Sequence, residues 1–241
     1  MLSVRWAQAS DVGRVRQVNE DACFGSERLF AVADGMGGHA AGDVASQLAI
    51  AAIEQLAGQP EIEVADLLAT VQLANAQILR AAAEQPAYGG MGTTLTGLAV
   101  VQVSGREHWA VFNVGDSRVY RYAEATLRQL TVDHSAVQEL VDAGQLTDSQ
   151  ARHHPRRNVV TRSLGSDPAP LADVELYEPV LGDRLLLCSD GLTNELLDAE
   201  IAQVLQVLTD PAEVVAELVR RANQSGGRDN TTVVVVDVTA T

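Results

Sequence analysis

Twice in this chain an apolar run ends on Asp-Gly: Leu29-Phe30-Ala31-Val32-Ala33 ahead of Asp34-Gly35, and Leu185-Leu186-Leu187-Cys188-Ser189 ahead of Asp190-Gly191. A short apolar run closed by a turn signal reads as a buried strand. Glycine tolerates backbone conformations and close approaches that a Cβ forbids. A strand that delivers Asp into glycine therefore sets a carboxylate beside an unshielded carbonyl, a donor pair suited to a hard cation. Either dipeptide alone is an ordinary turn. The repetition makes the pair a constraint on the whole fold.

The rest of the chain limits what those acids can serve. Seventeen basic residues, all arginine, face 32 acidic ones, for a net charge of −15. Nucleic-acid binding is thereby disfavoured, because phosphate backbones demand clustered positive charge. With no lysine there is no Schiff-base chemistry. Cys23 and Cys188, both in hydrophobic surroundings, point to a reducing compartment rather than a disulfide scaffold. The first ten residues lack the apolar core of a signal peptide, and no apolar run approaches the roughly 20 residues of a membrane span. These features predict a cytoplasmic protein with no membrane partner.

Taken in order, Val4–Ala9 reads as a strand, and Ala22–Gly25 with Leu29–Asp34 as a hairpin that brings Glu20, Asp21 and Asp34 to neighbouring strand ends. Apolar residues at helical spacing predict amphipathic helices over Asp43–Leu56 and Glu61–Ala83. From Gly92 the period changes. Thr93–Val103, His108–Val114 and Arg118–Tyr122 read as an antiparallel meander, with Asp116 in a tight turn between the last two. Thr131–Pro170 is polar and carries His134, His153, His154, Arg152, Arg156, Arg157 and Arg162, with short helices near Ser135–Ala143 and Thr147–Arg152. An insertion of that length is characteristic of a functional lid or binding loop. Strands at Val174–Glu178 and Asp183–Ser189, helices at Asp198–Leu208 and Pro211–Asn223, and a closing strand at Thr231–Val238 complete one domain over residues 1–241.

Asp34, Asp116, Asp190 and Asp229 all lie at strand boundaries beside glycine or a short turn. Converging on one end of a sheet, such carboxylates with a carbonyl and waters form the ligand set of magnesium or manganese. Zinc is disfavoured by the absence of a suitably spaced His/Cys set. A pair of divalent ions can activate water and clamp an in-line displacement at phosphorus. Arg16, just ahead of Glu20-Asp21, is a candidate phosphate ligand, and His39 in the glycine-rich loop a candidate proton donor to the leaving oxygen. Cysteine-based phosphoryl transfer is excluded, since neither cysteine has an arginine six residues on. A phosphoaspartyl route is excluded because no two aspartates stand two residues apart. The nucleophile is water.

Seven segments carry a resemblance. They are RQVNEDA at Arg16–Ala22, VADGMGGHAAG at Val32–Gly42, GMGTTLT at Gly90–Thr96, NVGDSRVY at Asn113–Tyr120, NVVTRSLG at Asn158–Gly165, LLLCSDGLTN at Leu185–Asn194 and GGRDNTTVVVV at Gly226–Val236. In this order they resemble a bacterial member of the metal-dependent Ser/Thr protein phosphatases, the type 2C or PPM family. The resemblance implies an α+β fold, a four-layer α/β/β/α sandwich of two antiparallel sheets flanked by helix pairs. It implies two Mn²⁺ or Mg²⁺ ions bridged by Asp34, with the Gly35 carbonyl. Asp190 and Asp229 would complete one shell and Glu20 or Asp21 would serve the other. Asp116 with Asp190 matches the position of a third, weaker ion. Arg16 would bind the phosphoryl group and His39 act as general acid, with residues 131–170 as a flap whose arginines, Arg162 among them, contact phosphopeptides. The expected partners are phosphorylated proteins, a Ser/Thr kinase and its substrates, met by a monomer. Two other readings compete: an adaptor that binds phosphoproteins without turnover, and a phosphatase of a sigma-factor regulator.

Overall fold

The valine run that closes the chain shows how the layers arise. Val233 and Val235 enter one apolar cluster with Leu186, Cys188, Leu218 and Ala222, while Val234, Val236 and Val238 enter another with Phe30, Leu98, Trp109 and Leu187. A strand's side chains alternate between its two faces. A run that is apolar on both must therefore be covered on both.

The computed structural model describes residues 3–37 and 41–240. Its strands are β1 Ser3–Asp11, β2 Asp21–Gly25, β3 Leu29–Met36, β4 Gly92–Thr93, β5 Leu95–Val103, β6 Arg106–Val114, β7 Arg118–Ala123, β8 Thr126–Gln129, β9 Asp173–Tyr177, β10 Arg184–Cys188 and β11 Thr231–Thr239. Its α-helices are α1 Gly42–Ala57, α2 Val64–Glu84, α3 Ala136–Asp142, α4 Asp148–Ala151, α5 Asp190–Thr193, α6 Asp198–Val207 and α7 Pro211–Ser225. One sheet runs β1-β11-β10-β7-β8 and the other β2-β3-β5-β6-β9, with β4 paired to β3. Every ladder is antiparallel.

Three apolar clusters separate four layers. Ala45, Ala49 and Ile53 of α1 and Leu67, Val71 and Ile78 of α2 pack on Leu29, Ala31, Ala99 and Phe112 of the second sheet. The Phe30, Val111, Val119 and Val234 cluster fills the space between sheets. Residues of α6 and α7, including Ile201, Val204, Leu218 and Ala222, cover the first sheet's outer face. This is the α/β/β/α sandwich expected.

The meander is where expectation and structure part. Strands β5 and β6 pair over Leu95–Val103 and Arg106–Val114, but β7 leaves them to join β10 and β8 in the other sheet. Alternating hydrophobicity marks a strand without naming its partner. The turn at Gly115-Asp116-Ser117 is thus a crossing between sheets, made by Gly115 at φ +113° against Thr94. Strand β8 was not anticipated either; its sequence, Thr-Leu-Arg-Gln, carries a single apolar residue.

Candidate functional site

The β2–β3 ladder places Asp21 directly opposite Asp34. Two carboxylates facing across a ladder repel each other, and both are half-buried. From the other sheet, α5 begins with Asp190 immediately after β10, and Asp229 sits two residues ahead of β11. Neighbouring negative charge acts on Asp34, Asp21, Asp190 and Asp116. Asp34 is raised well above the ordinary carboxylate range, by burial first and then by the charges of Asp21, Asp190, Asp116 and Asp229. Asp21 is pushed up to about 7, chiefly by burial, although hydrogen bonds from Thr232 and Ser189 oppose the shift. Asp190 rises to about 6 through burial and the Asp229 charge, opposed by hydrogen bonds from Asp34 and Asn194. Asp116 is raised well above its usual range, by burial and then by Asp190 and Asp133. The cause throughout is the same: negative charge removed from water and concentrated.

The backbone is shaped to permit this crowding. A Cβ on Gly35 would overlap the carbonyl oxygens of Gly42 and Glu20, so β3, the start of α1 and the end of the β1–β2 loop can meet only at glycine. A Cβ on Gly191 would overlap the Asn230 carbonyl in the same way, where α5 meets the approach to β11. Thr94 accepts the Asp34 amide at 2.9 Å through its hydroxyl, and its own amide donates to the Asp34 carbonyl at 2.9 Å. Ser189 Oγ donates to Asp21 Oδ2 at 2.8 Å and Asn194 Nδ2 to Asp190 Oδ2 at 2.9 Å. The other Asp21 oxygen, Oδ1, is buried and has no hydrogen-bond partner.

Arg16 reaches the cluster from the β1–β2 loop, its Nη2 donating to Asp229 Oδ2 at 2.8 Å. Buried Asn230 holds that loop in place. Its Oδ1 accepts the Glu20 amide at 2.8 Å, and its Nδ2 donates to the carbonyls of Val12 and Val18, each at 3.0 Å. Glu20 itself turns away from the acids. Its Oε1 accepts the Gly42 amide at the start of α1 at 3.2 Å, and its carbonyl accepts the Gly35 amide and the Ser46 hydroxyl. Of the two candidates Glu20 and Asp21, it is the Asp21 side chain that stands among the carboxylates. No three of the described His, Cys, Asp and Glu side chains form a ready coordination group. The acids have separate partners: Asp190 has Asp34 and Asn194, Asp21 has Ser189 and Thr232, and Asp229 has Arg16 and the Asn230 amide.

Asp116 and Asp190 open onto a cavity of about 290 Å³ whose far wall is the flap, with Arg118, Arg152 and Arg157 among its lining. Arg152 is tied down by two carbonyls, Thr193 at 2.8 Å and Leu196 at 2.9 Å. Arg162 lies at the flap's exit, where it donates to Asp173 Oδ1 at 2.8 Å and to the Leu171 carbonyl at 3.0 Å. His39 falls outside the described residues.

Several supporting groups had escaped the sequence reading: Thr94, Ser189, Asn194 and Asn230. Each is a neutral hydroxyl or amide whose only sequence signal is adjacency to a motif acid or a place in a motif. Asn230 follows Asp229, and Ser189 precedes Asp190.

A family model described as protein phosphatase 2C matches residues 13–230. The chain is 43% identical over 240 residues to the serine/threonine protein phosphatase PstP of Mycobacterium tuberculosis, a match covering 98% of this chain and 45% of that protein. It therefore spans about half the length of that relative. A serine/threonine phosphatase, stp, of Listeria innocua is 38% identical, over 95% of this chain and 93% of its own. Among solved structures, the catalytic domain of PstP in complex with 2 manganese ions superposes with a TM-score of 0.89 at 40% identity, covering 100% of both chains.

Proposed function

The chain belongs to the protein phosphatase 2C family, and we propose that it hydrolyses phosphoserine and phosphothreonine in proteins, using divalent cations and water as nucleophile. The observation that carries this reading is the half-buried acid cluster, with Asp21 opposite Asp34 and Asp21 Oδ1 buried without a partner. Buried carboxylates are costly unless a cation balances them. All-oxygen donors suit Mn²⁺ or Mg²⁺, and the manganese in the PstP structure supports the same choice here.

Asp34, the Gly35 carbonyl, Asp190 and Asp229 are the residues that would hold one ion. Asp34 and Asp21 would hold a second, with Glu20 behind it through its contacts to Gly42 and Gly35. Asp116 with Asp190 would take a third. Bound there, the ions would lower the pKa of a water and offset charge on the phosphoryl oxygens. Arg16, half-exposed beside Asp229, then orients the phosphoryl group by exchanging that carboxylate for phosphate oxygens. His39 keeps the role of general acid toward the leaving serine or threonine oxygen. The flap borders the peptide's path. Arg162 reaches a phosphopeptide only by giving up Asp173, whereas Arg157 already faces the cavity.

On this reading residues 1–241 act as one catalytic domain, a cytoplasmic monomer that opposes a Ser/Thr kinase on that kinase's substrates. The net charge of −15 supports protein rather than nucleic-acid partners. No described helix is long and apolar enough to cross a membrane. The test is direct. Asp34→Ala and Asp190→Asn should each abolish manganese-dependent hydrolysis of p-nitrophenyl phosphate and of a phosphothreonine peptide while the protein stays folded. Full activity in either variant overturns the proposal.

A further inference from the structure

A buried imidazole ties the flap to the turn that carries Asp116. His134 follows β8 at the entry to the flap and is 7% exposed. Its Nδ1 accepts the amide of Gly115 at 3.0 Å, and its own amide donates to the Gly115 carbonyl at 2.9 Å. Its Nε2 meets Asp173 Oδ2 at 3.0 Å, and Asp173 Oδ1 in turn accepts Arg162 at 2.8 Å. The hydrogen-bond directions assign the proton. A ring nitrogen that accepts an amide N–H carries no hydrogen, so the hydrogen of the neutral ring is on Nε2, where Asp173 takes it.

The grip falls on a consequential turn. Gly115 is the residue before Asp116, held at φ +113° where β6 crosses to β7. Asn113 Nδ2 donates to the same Gly115 carbonyl at 3.0 Å. One residue past Asp116, Ser117 Oγ meets Thr94 Oγ1 at 2.8 Å, and that Thr94 oxygen accepts the Asp34 amide. The turn is therefore pinned on one side to Asp34 and on the other, through His134, Asp173 and Arg162, to both ends of the flap. The Asp116 carboxylate hydrogen-bonds the backbone of its own residue, so where it points follows where that backbone is held.

We propose that His134 is a positioning residue that fixes the Asp116 carboxylate for cation binding and couples the seating of the flap to it. This rests on the phosphatase reading for the identity of the ion. Its working part is the Nδ1 acceptor, because Gly115 N–H is a buried donor that must be satisfied to stay in place. Asp173 and Arg162 select the tautomer that leaves Nδ1 free to accept. Groups that orient a cation's ligands typically change affinity by 10- to 100-fold when removed.

The experiment is calorimetric titration of the whole chain with Mn²⁺ alone, on wild type, Asp116→Ala, His134→Leu and His134→Asn, with thermal unfolding as the fold control. Asp116→Ala identifies the binding step that depends on Asp116. His134→Leu should weaken that step about tenfold and leave the tighter binding within about twofold. His134→Asn offers its side-chain oxygen near the position of Nδ1 and should restore most of the loss. Combined with Asp116→Ala, His134→Leu should add nothing further. Wild-type affinities in His134→Leu overturn the inference, as does an equal loss in a folded His134→Asn. No Mn²⁺ binding to wild type defeats the phosphatase reading itself, and this inference with it. Should His134→Leu not fold, a long-range ¹H–¹⁵N spectrum of the wild type decides independently: a proton on Nε2 and none on Nδ1 supports the assignment, and the opposite tautomer overturns it.

Discussion

Replacing Asp21 by Asn should make the cation-free protein more stable while impairing its cation site, and the size of the effect follows from the cluster. Burial, with the charges of Asp190 and Asp229, carries the Asp21 carboxyl from 3.8 to about 7. A group whose folded pKa is raised favours the folded state when protonated. Its contribution is complete below pH 3.8 and is lost as pH rises through about 7. At about 1.36 kcal/mol per unit, the raised carboxyl costs the fold roughly 4 kcal/mol at pH 7.5, where it is mostly ionised in both states, and roughly 2 kcal/mol at pH 5, where only the unfolded chain is ionised. Asn is close in shape and never ionises. Urea denaturation in a chelator should therefore find Asp21→Asn more stable than wild type at pH 7.5, with the advantage falling by about half at pH 5. Added Mn²⁺ should stabilise wild type more than the variant, since only wild type keeps the carboxylate. A variant no more stable than wild type at pH 7.5, or an advantage unchanged between the two pH values, would refute the reasoning.

Three further substitutions probe separate parts of the site. Gly35→Ala drives a methyl into the Gly42 and Glu20 carbonyls and should cost about 1–3 kcal/mol by overpacking, read as a lower Tm in chelator; an unchanged Tm contradicts the close approach. Glu195, with its side chain 1% exposed, accepts the Arg228 amide and two guanidinium N–H groups at 2.8–2.9 Å. Glu195→Ala should release the loop carrying Asp229 and cost roughly 1–3 kcal/mol, with weaker Mn²⁺ binding by calorimetry; wild-type binding in a destabilised variant would confine Glu195 to stability. Arg16→Ala should lower kcat/KM for a phosphothreonine peptide about 100-fold with Mn²⁺ affinity largely kept, and a loss confined to Mn²⁺ affinity would place Arg16 in ion binding instead.

Much of this architecture was legible because burial on two faces writes continuous apolar runs. The Leu29–Ala33 and Leu185–Cys188 segments announced strands that lead to Asp34 and Asp190, although β3 runs on past Asp34 to Met36 to pair with β4, and the facing of Asp21 and Asp34 followed from the hairpin between them. Partner choice was not legible. Nothing in Arg118–Tyr122 says that β7 abandons β6 for β10, because the same alternation serves either sheet. Nor did Thr126–Gln129 announce β8, whose pairing to β7 comes from position rather than pattern. Within the site the charged residues stood out and the neutral ones did not. Asn230 and Thr94 act through amide and hydroxyl contacts to backbone 60 or more residues away, and such reach leaves no local periodicity. His134 was visible only as one of three histidines in a polar segment. Its meaning depends on Gly115 and Asp173, which the fold alone brings to it.

On the proposed function, carboxylates from both sheets share divalent ions at one edge of the sandwich. Anomalous diffraction at the manganese edge, from crystals grown with Mn²⁺, tests it most directly. Two strong peaks roughly 3.5–4 Å apart are expected, both within coordination distance of Asp34, with Asp190 and Asp229 on one and Asp21 nearest the other. Peaks elsewhere on the surface, or none among these acids in an otherwise ordered crystal, would contradict it.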